Sequence, residues 1–173
     1  MWSRKIEDLS SELQEKHDCI ISFCAEHGVD MLTYCTLRGA NEQAIAFRKS
    51  RTKSEITHKA DELLSRGFSF LADVLWKVGP QAGDLGKHVT NAGPGESWHQ
   101  YGMAFDAVPL RDGKCCWDKD TNRFAWAIYR EAIFSCGCSW GGGFGDYPHC
   151  QQIERSNPLD VLTAEQVKRM VSL

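Results

Sequence analysis

Apolar residues recur at Ile6, Leu9, Leu13, Ile20, Ile21 and Cys24, close to the helical period across residues 4–26, and Gly28 is a natural stop. The pattern then changes: "VDMLTYCTL" (29–37) is rich in β-forming types and predicts a strand. Helical spacing resumes from Ala44 to Phe47. A longer helical stretch covers roughly 54–77, through Ile56, Leu63, Leu64, Phe68, Leu71, Val74 and Leu75. "VGPQAGDLG" (78–86) and "NAGPGES" (91–97) read as loops on their glycine and proline. "GMAFDAVPL" (102–110) alternates small and large residues, which predicts a strand ended by Pro109, and "RDGK" (111–114) predicts a turn. Asp120 or Thr121 caps a helix running to about Cys136, with Phe124, Ile128 and Phe134 on its apolar stripe. Glycine-rich "WGGGFGDYPHCQ" (140–151) leads into a short strand. In "LTAEQVKRMV" (162–171), Thr163 and Gln166 form a capping-box pattern for a last helix.

Helices and strands in this order, without repeats or a linker, predict one α+β domain, and 173 residues suffice for one sizeable core. A net charge of -3 weighs against nucleic acid as a partner. The densest basic stretch, "FRKSRTK" (47–53), reads as a solvated helix end. The longest apolar run, "CIISFCA" (19–25), is far too short to span a bilayer, so no stable membrane association is expected. "MWSRKIEDLSSEL" lacks the apolar region of a signal peptide, so the expectation is synthesis in the cytoplasm. Eight cysteines allow four disulfides, but the reading here is reduced thiols, mostly serving as small buried hydrophobes. Neither Cys115-Cys116 nor Cys136-x-Cys138 has the spacing of a structural zinc pair.

Six histidines are present, and His17, His27, His58 and His88 read as surface or satisfied core residues. "ESWHQYGMAFDAVP" (96–109) and "GDYPHC" (145–150) are different, because they bring His99, Asp106, Asp146 and His149 into glycine-rich or small-residue surroundings. Two imidazoles and a carboxylate suit zinc, and three protein ligands leave a fourth position for water. Asp146, three residues before His149, is placed to act as a base on that water. Polar residues scattered by chance would also account for the spacing. Small residues at Ser97, Gly102 and Ala104 would let backbone and metal approach closely, and Trp140 with Gly141–Gly143 would form a flexible, accessible wall.

"SWHQYGMAFD" resembles the S-x-H-x-x-G-x-A-x-D motif of the peptidoglycan zinc peptidases, the D-alanyl-D-alanine carboxypeptidases and L-alanyl-D-glutamate endopeptidases. "GDYPHCQ" resembles their second motif, D-x-P-H followed by an aromatic and Gln or Glu. "LRGANEQAIAFRKSRT" (37–52) resembles their arginine motif, with Arg38 and Gln43 at its spacing. The three motifs stand in the family's order and cover most of the chain outside 53–88. The resemblance implies a single zinc peptidase domain over 1–173, with a small antiparallel sheet packed with helices and a zinc cleft on the sheet. His99, Asp106 and His149 would hold Zn2+, and Asp146 would be the general base. Arg38 would bind substrate and steady the oxyanion, with Gln43, Ser97 and Trp140 as further substrate contacts. Asp146, rather than glutamate, before the last histidine resembles the endopeptidase branch, which includes many phage endolysins. The implied activity is cleavage of stem peptides by a monomer that reaches the cell wall after release or export. A D,D- or L,D-carboxypeptidase and a non-catalytic zinc-stabilised wall-binding domain are the alternatives. Cys150 and Phe144 depart from the family's usual aromatic and tryptophan, and 53–88 is a helical insertion, read as a packing helix pair.

Overall fold

The computed structural model describes residues 2–78, 86–154 and 157–171. The elements are α1 (Ser11–Glu26), β1 (Asp30–Cys35), α2 (Ala40–Arg48), α3 (Lys53–Ser65), α4 (Ser69–Lys77), β2 (Ala104–Arg111), β3 (Lys114–Cys115), α5 (Arg123–Ser135), β4 (Ser139–Trp140), β5 (His149–Gln151) and α6 (Ala164–Met170). The α+β class read from the sequence holds. The described residues fall into two compact units, 2–37 with 101–154, and 38–100 with 157–171.

The first of these units carries the sheet, ordered β1-β2-β5-β4, with β3 pairing β2, and every pairing is antiparallel. Residues directly opposite each other in such a sheet point to the same face. Phe105 pairs with Cys150, and both are fully buried in a core with Leu13, Ile20 and Cys24 of α1 and Trp126, Tyr129, Ala132 and Ile133 of α5. Burying a side chain such as Phe105 or Ile133 contributes about 1.5–3 kcal/mol. A three-residue strand such as β5 is not stable by itself, so this packing keeps it in register. The opposite face of the same strands carries Asp106 and His149.

β2 runs past Pro109 to Arg111, where the sequence predicted its end. The Ala107 N–H points to the β5 side, donating to Pro148 O at 3.1 Å, so Pro109 two residues on faces the same side. β5 has already ended there, so the missing N–H costs no bond to β5. The predicted first helix divides into a 3-10 turn at Ile6–Asp8 and α1, whose N-cap Ser10 accepts from Leu13 N–H. Gly28, at φ 72, closes α1 as expected. The α5 N-cap is Asn122, not Asp120 or Thr121. Its stripe also differs: Trp126, Ile128, Tyr129, Ala132 and Ile133 are buried, while Phe124 and Phe134 are 68% and 54% exposed. Gly102 has its own reason. At φ 65, an added Cβ would lie 2.7 Å from Asp8 O, so the N-terminal segment, not a metal, demands the glycine there. The cysteines are not all reduced thiols: Cys19 of α1 is disulfide-bonded to Cys136, the C-cap of α5.

In the other unit, the stretch predicted as one helix over 54–77 is two helices, α3 and α4. Gly67, at φ 84, turns the chain between them. They pack on each other as the helix pair expected within 53–88, while residues 79–85 of that stretch, and of the predicted loop 78–86, lie outside the described residues. α3 opens with a capping box of Thr52 and Glu55, and α6 with the expected one of Thr163 and Gln166. "FRKSRTK" is not a solvated end. Arg48 and Arg51 are buried, Arg48 Nη1 donating to Leu75 O at 2.8 Å and Arg51 Nη2 to Thr90 O at 2.7 Å. Leu75 lies in the last turn of α4, whose carbonyls have no partner within the helix, and a guanidinium there satisfies one.

Candidate metal centre and active site

β2 and β5 set Asp106 directly opposite His149. His149 Nδ1 lies 3.2 Å from Asp106 Oδ1, and both side chains are about nine-tenths buried. The other ring nitrogen, Nε2, lies 2.9 Å from Gln151 Oε1. Gln151 is two residues along the same strand, so it shares the face. Its amide nitrogen donates to Ile153 O at 2.6 Å, which turns Oε1 toward the ring. With Nε2–H donating to that oxygen, a neutral imidazole presents the Nδ1 lone pair to a carboxylate. Two acceptors 3.2 Å apart repel unless a proton or a cation lies between them. Asp146 completes the group. One carboxylate oxygen of Asp146, one of Asp106 and a His149 ring nitrogen all lie within 4.8 Å of one another, and Asp146 is exposed. Borderline nitrogen and hard oxygen donors at this separation fit a zinc-sized divalent cation. The acceptor beyond the ring, Gln151, is the kind of partner that orients a ligating histidine.

The turn before His149 is braced from three sides. Tyr129, fully buried, donates its hydroxyl to Pro148 O at 2.9 Å, and burial pushes its phenol well above the ordinary range, so it remains a donor. Trp140 Nε1–H donates to Tyr147 O at 2.9 Å, with the two rings edge-to-face at 5.0 Å. Gly141 has no room for a side chain, because an added Cβ would sit 2.6 Å from both Asp146 O and His149 Cβ. The segment read as a flexible wall is thus a half-buried tryptophan followed by a 3-10 turn, Gly141–Phe144. Its Phe144 is exposed, and its ring centroid lies 5.8 Å from that of His149. Cys150, next in the strand, points to the opposite face and packs in the core beside Cys138, as expected of a cysteine serving as a small buried hydrophobe.

The other sequence-predicted residues belong to the second unit. Arg38 is buried and donates from Nη1 to Gln43 Oε1 at 3.0 Å, so the five-residue spacing of the arginine motif is a contact. Gln43 Nε2 donates in turn to Ala92 O at 2.7 Å. His99 is buried on the 3-10 turn Trp98–Tyr101, and its backbone carbonyl accepts from Arg38 N–H at 3.1 Å. Ser97 O accepts from Gln100 N–H at 3.0 Å. Glu96 fixes the approach to this turn, accepting from Gly93 N–H at 2.7 Å and from Lys59 Nζ at 3.1 Å.

Residues 90–152 match the family of D-alanyl-D-alanine carboxypeptidases. That stretch includes His99, Asp106, Asp146 and His149. Over that stretch the chain is similar to this family. The peptidoglycan L-alanyl-D-glutamate endopeptidase CwlK of Bacillus subtilis (strain 168) is 26% identical to this chain over 155 residues, 84% of this chain and 74% of the relative. The crystal structure of the L-Ala D-Glu endopeptidase ChiX of Serratia marcescens covers 87% of each chain at 18% identity, with a TM-score of 0.43. Among the described residues, no helix is long and apolar enough to cross a membrane.

Two residues of the centre were missed in the sequence. Gln151 was detectable, because a strand places i and i+2 on one face and "HCQ" was already in the motif. Cys35, which pairs with Asp106 across β1 and β2, left no such signal.

Proposed function

We propose that this chain is a zinc-dependent L-alanyl-D-glutamate endopeptidase acting on peptidoglycan stem peptides, and that residues 1–173 serve as one catalytic domain with 53–88 as an insertion. The observation that carries the reading is the convergence of Asp106, His149 and Asp146 on one sheet face. The name of the Bacillus relative and the aspartate before the last histidine support the bond assigned. His99 is the third ligand in this reading, on its motif position.

Zinc, when bound, polarises the scissile carbonyl and brings the pKa of its water to about 7. Asp106 and His149 hold the ion, and Gln151 fixes the imidazole tautomer. Asp146, exposed and beside them, accepts the water's proton and passes it to the leaving amine. Arg38 steadies the developing oxyanion, its guanidinium held by Gln43. Ser97 and Trp140 contact the stem peptide. The enzyme works as a monomer, without nucleic acid, and reaches the wall after release or export in the manner of an endolysin.

Mass spectrometry of defined muropeptides, treated with and without a chelator, tests this. New L-alanine C-termini and D-glutamate N-termini are expected, both lost with chelator and with His149→Ala. Release of terminal D-alanine alone would place the enzyme with the carboxypeptidases for which the matched family is described. Full activity in His149→Ala would sink the mechanism.

A further inference from the structure

β2 folds back into β3 through a two-residue turn, Asp112–Gly113, with φ angles of 52 and 71. Two left-handed residues make the tight hairpin turn whose twist matches that of the paired strands. The turn sets Arg111 directly opposite Lys114. Both are exposed, and like charges in that position repel. Among the described residues, neither the guanidinium nor the ammonium has a hydrogen-bond or ion-pair partner, and Asp112 bridges neither. Two cations held side by side by a hairpin complement an anion. They line a cleft of about 510 Å³ with Trp117, Asp118, Thr121 and Asn122, a volume in the range of small-molecule sites. Asp118 is engaged within its own loop, its carboxylate accepting from Asp120 N–H at 2.8 Å and from Thr121 N–H at 3.4 Å. Trp117 is 57% exposed, and its ring is braced edge-to-face by Tyr34 at 5.2 Å. Tyr34 is the extra residue of a bulge in β1, since Thr33 pairs with Ala107 and Cys35 with Asp106.

An indole presents a negative π face, and the C–H groups on one side of a pyranose ring carry the complementary partial charge. Paired cations beside that face take an acid group carried by the ring. We propose that this cleft binds an acidic wall sugar, a pyranose stacked on Trp117 with a short carboxylate arm between Arg111 and Lys114. The choice of a wall sugar rests on the endopeptidase reading above. In that reaction the bond between L-alanine and D-glutamate breaks, water's oxygen joins the alanine carbonyl carbon, and the amine leaves with D-glutamate. The glycan therefore keeps a lactyl-alanyl arm that ends in a new carboxylate. Arg111 lies five residues along β2 from Asp106, about 17 Å at the rise of an antiparallel strand. The cleft is thus separate from the metal centre, and it holds a cut sugar while the centre works on a neighbouring stem.

Titration of the whole chain with N-acetylmuramyl-L-alanine reads the site without turnover. The signal is the Trp117 indole N–H in NMR spectra, assigned with Trp117→Phe. A saturable shift at one site per chain is expected. Affinity should fall at least tenfold for N-acetylglucosamine, which lacks the acid arm, and for N-acetyl-L-alanine, which lacks the ring. Arg111→Ser and Lys114→Ser should each weaken binding several-fold, and raised salt should weaken it in the wild type. The absence of a saturable shift in the wild type overturns the site, and this arm needs no variant that must fold. Equal affinity for N-acetylglucosamine overturns the role of the two cations. Tighter binding of N-acetylglucosamine 1-phosphate or of adenosine monophosphate assigns the cleft to a phosphorylated ligand and overturns the acidic wall sugar. Binding by a chain that leaves the alanyl-glutamate bond of muropeptides intact would refute the endopeptidase reading while the cleft stands, and cleavage without binding would do the reverse.

Discussion

Gln151→Leu isolates the residue that orients His149. The substitution keeps the bulk of a 4% exposed side chain and removes the oxygen that accepts His149 Nε2–H at 2.9 Å. Water cannot easily replace that acceptor in so closed a place, and an unsatisfied buried donor costs about 1–3 kcal/mol. The ring then loses its fixed tautomer, and a fraction of the population presents the wrong nitrogen to the ion. Loss of such a supporting partner lowers metal affinity by about 10–100-fold, equivalent to about 1.4–2.8 kcal/mol at 1.4 kcal/mol per tenfold. The two routes give the same order of magnitude. The second bond of Gln151, to Ile153 O at 2.6 Å, contributes little to the difference, since Ile153 is only partly buried and its carbonyl can turn to solvent. Gln151→Glu keeps an acceptor toward the ring and should stay within a few-fold of wild type. Zinc competition against a chromophoric chelator measures all three proteins, and thermal melts of the apo-forms check that the fold survives. Equal zinc affinity for Gln151→Leu and wild type, with both folded, would refute the role given to this side chain.

Two further expectations come from the scaffold. The Cys19–Cys136 disulfide closes a separation of 117 residues, for which chain entropy sets an upper limit of about 4.9 kcal/mol. Urea unfolding of Cys19→Ser/Cys136→Ser should therefore show a loss of about 2–5 kcal/mol, and thiol titration of the denatured, unreduced wild type should count six of the eight cysteines. A count of eight would remove the bond. Gly141→Ala forces a methyl to within 2.6 Å of both Asp146 O and His149 Cβ, which displaces the base and a ligand together. Turnover should fall about 10²-fold, as for a misplacement near 1 Å, while stability falls by only about 1–3 kcal/mol; unchanged turnover on stem peptides would show that the turn adapts freely.

Local signals in the chain mark elements better than they mark faces. Thr163 and Gln166 announce α6 because a capping box is a contact between near neighbours, legible without the rest of the fold. The stripe of α5 is not legible in that way, since Phe124, Trp126, Ile128, Tyr129, Ile133 and Phe134 put apolar groups on most of its circumference. Only the partner surfaces, α1 and the sheet, decide that Trp126 goes in and Phe124 stays out. Arg48 and Arg51 mislead for a related reason: a charge run looks solvated until the helix-end carbonyls it satisfies are known. In the site, Asp106, Asp146 and His149 are legible as motif residues, and Arg38 with Gln43 as a spacing that proves to be a hydrogen bond. Cys35 is hidden because a one-residue insertion in a ladder has no signature in "LTYCT".

That hidden step shows what the centre depends on. Asp106 and His149 are 43 residues apart, and strand register alone makes them neighbours. A slip of one residue would turn Phe105 or Cys150 toward the site and bury a charged carboxylate in the apolar core. The core face therefore protects the chemistry on the other face: Phe105 and Cys150, both fully buried between α1 and α5, hold the register, and the donors inherit it. The bulge at Tyr34 is the one place where this ladder departs from strict pairing. Because it lies one step from Asp106, it changes which side chain meets the carboxylate without disturbing the pairs on either side. A sheet whose register is locked by the packing behind it thus fixes the spacing of the polar residues in front.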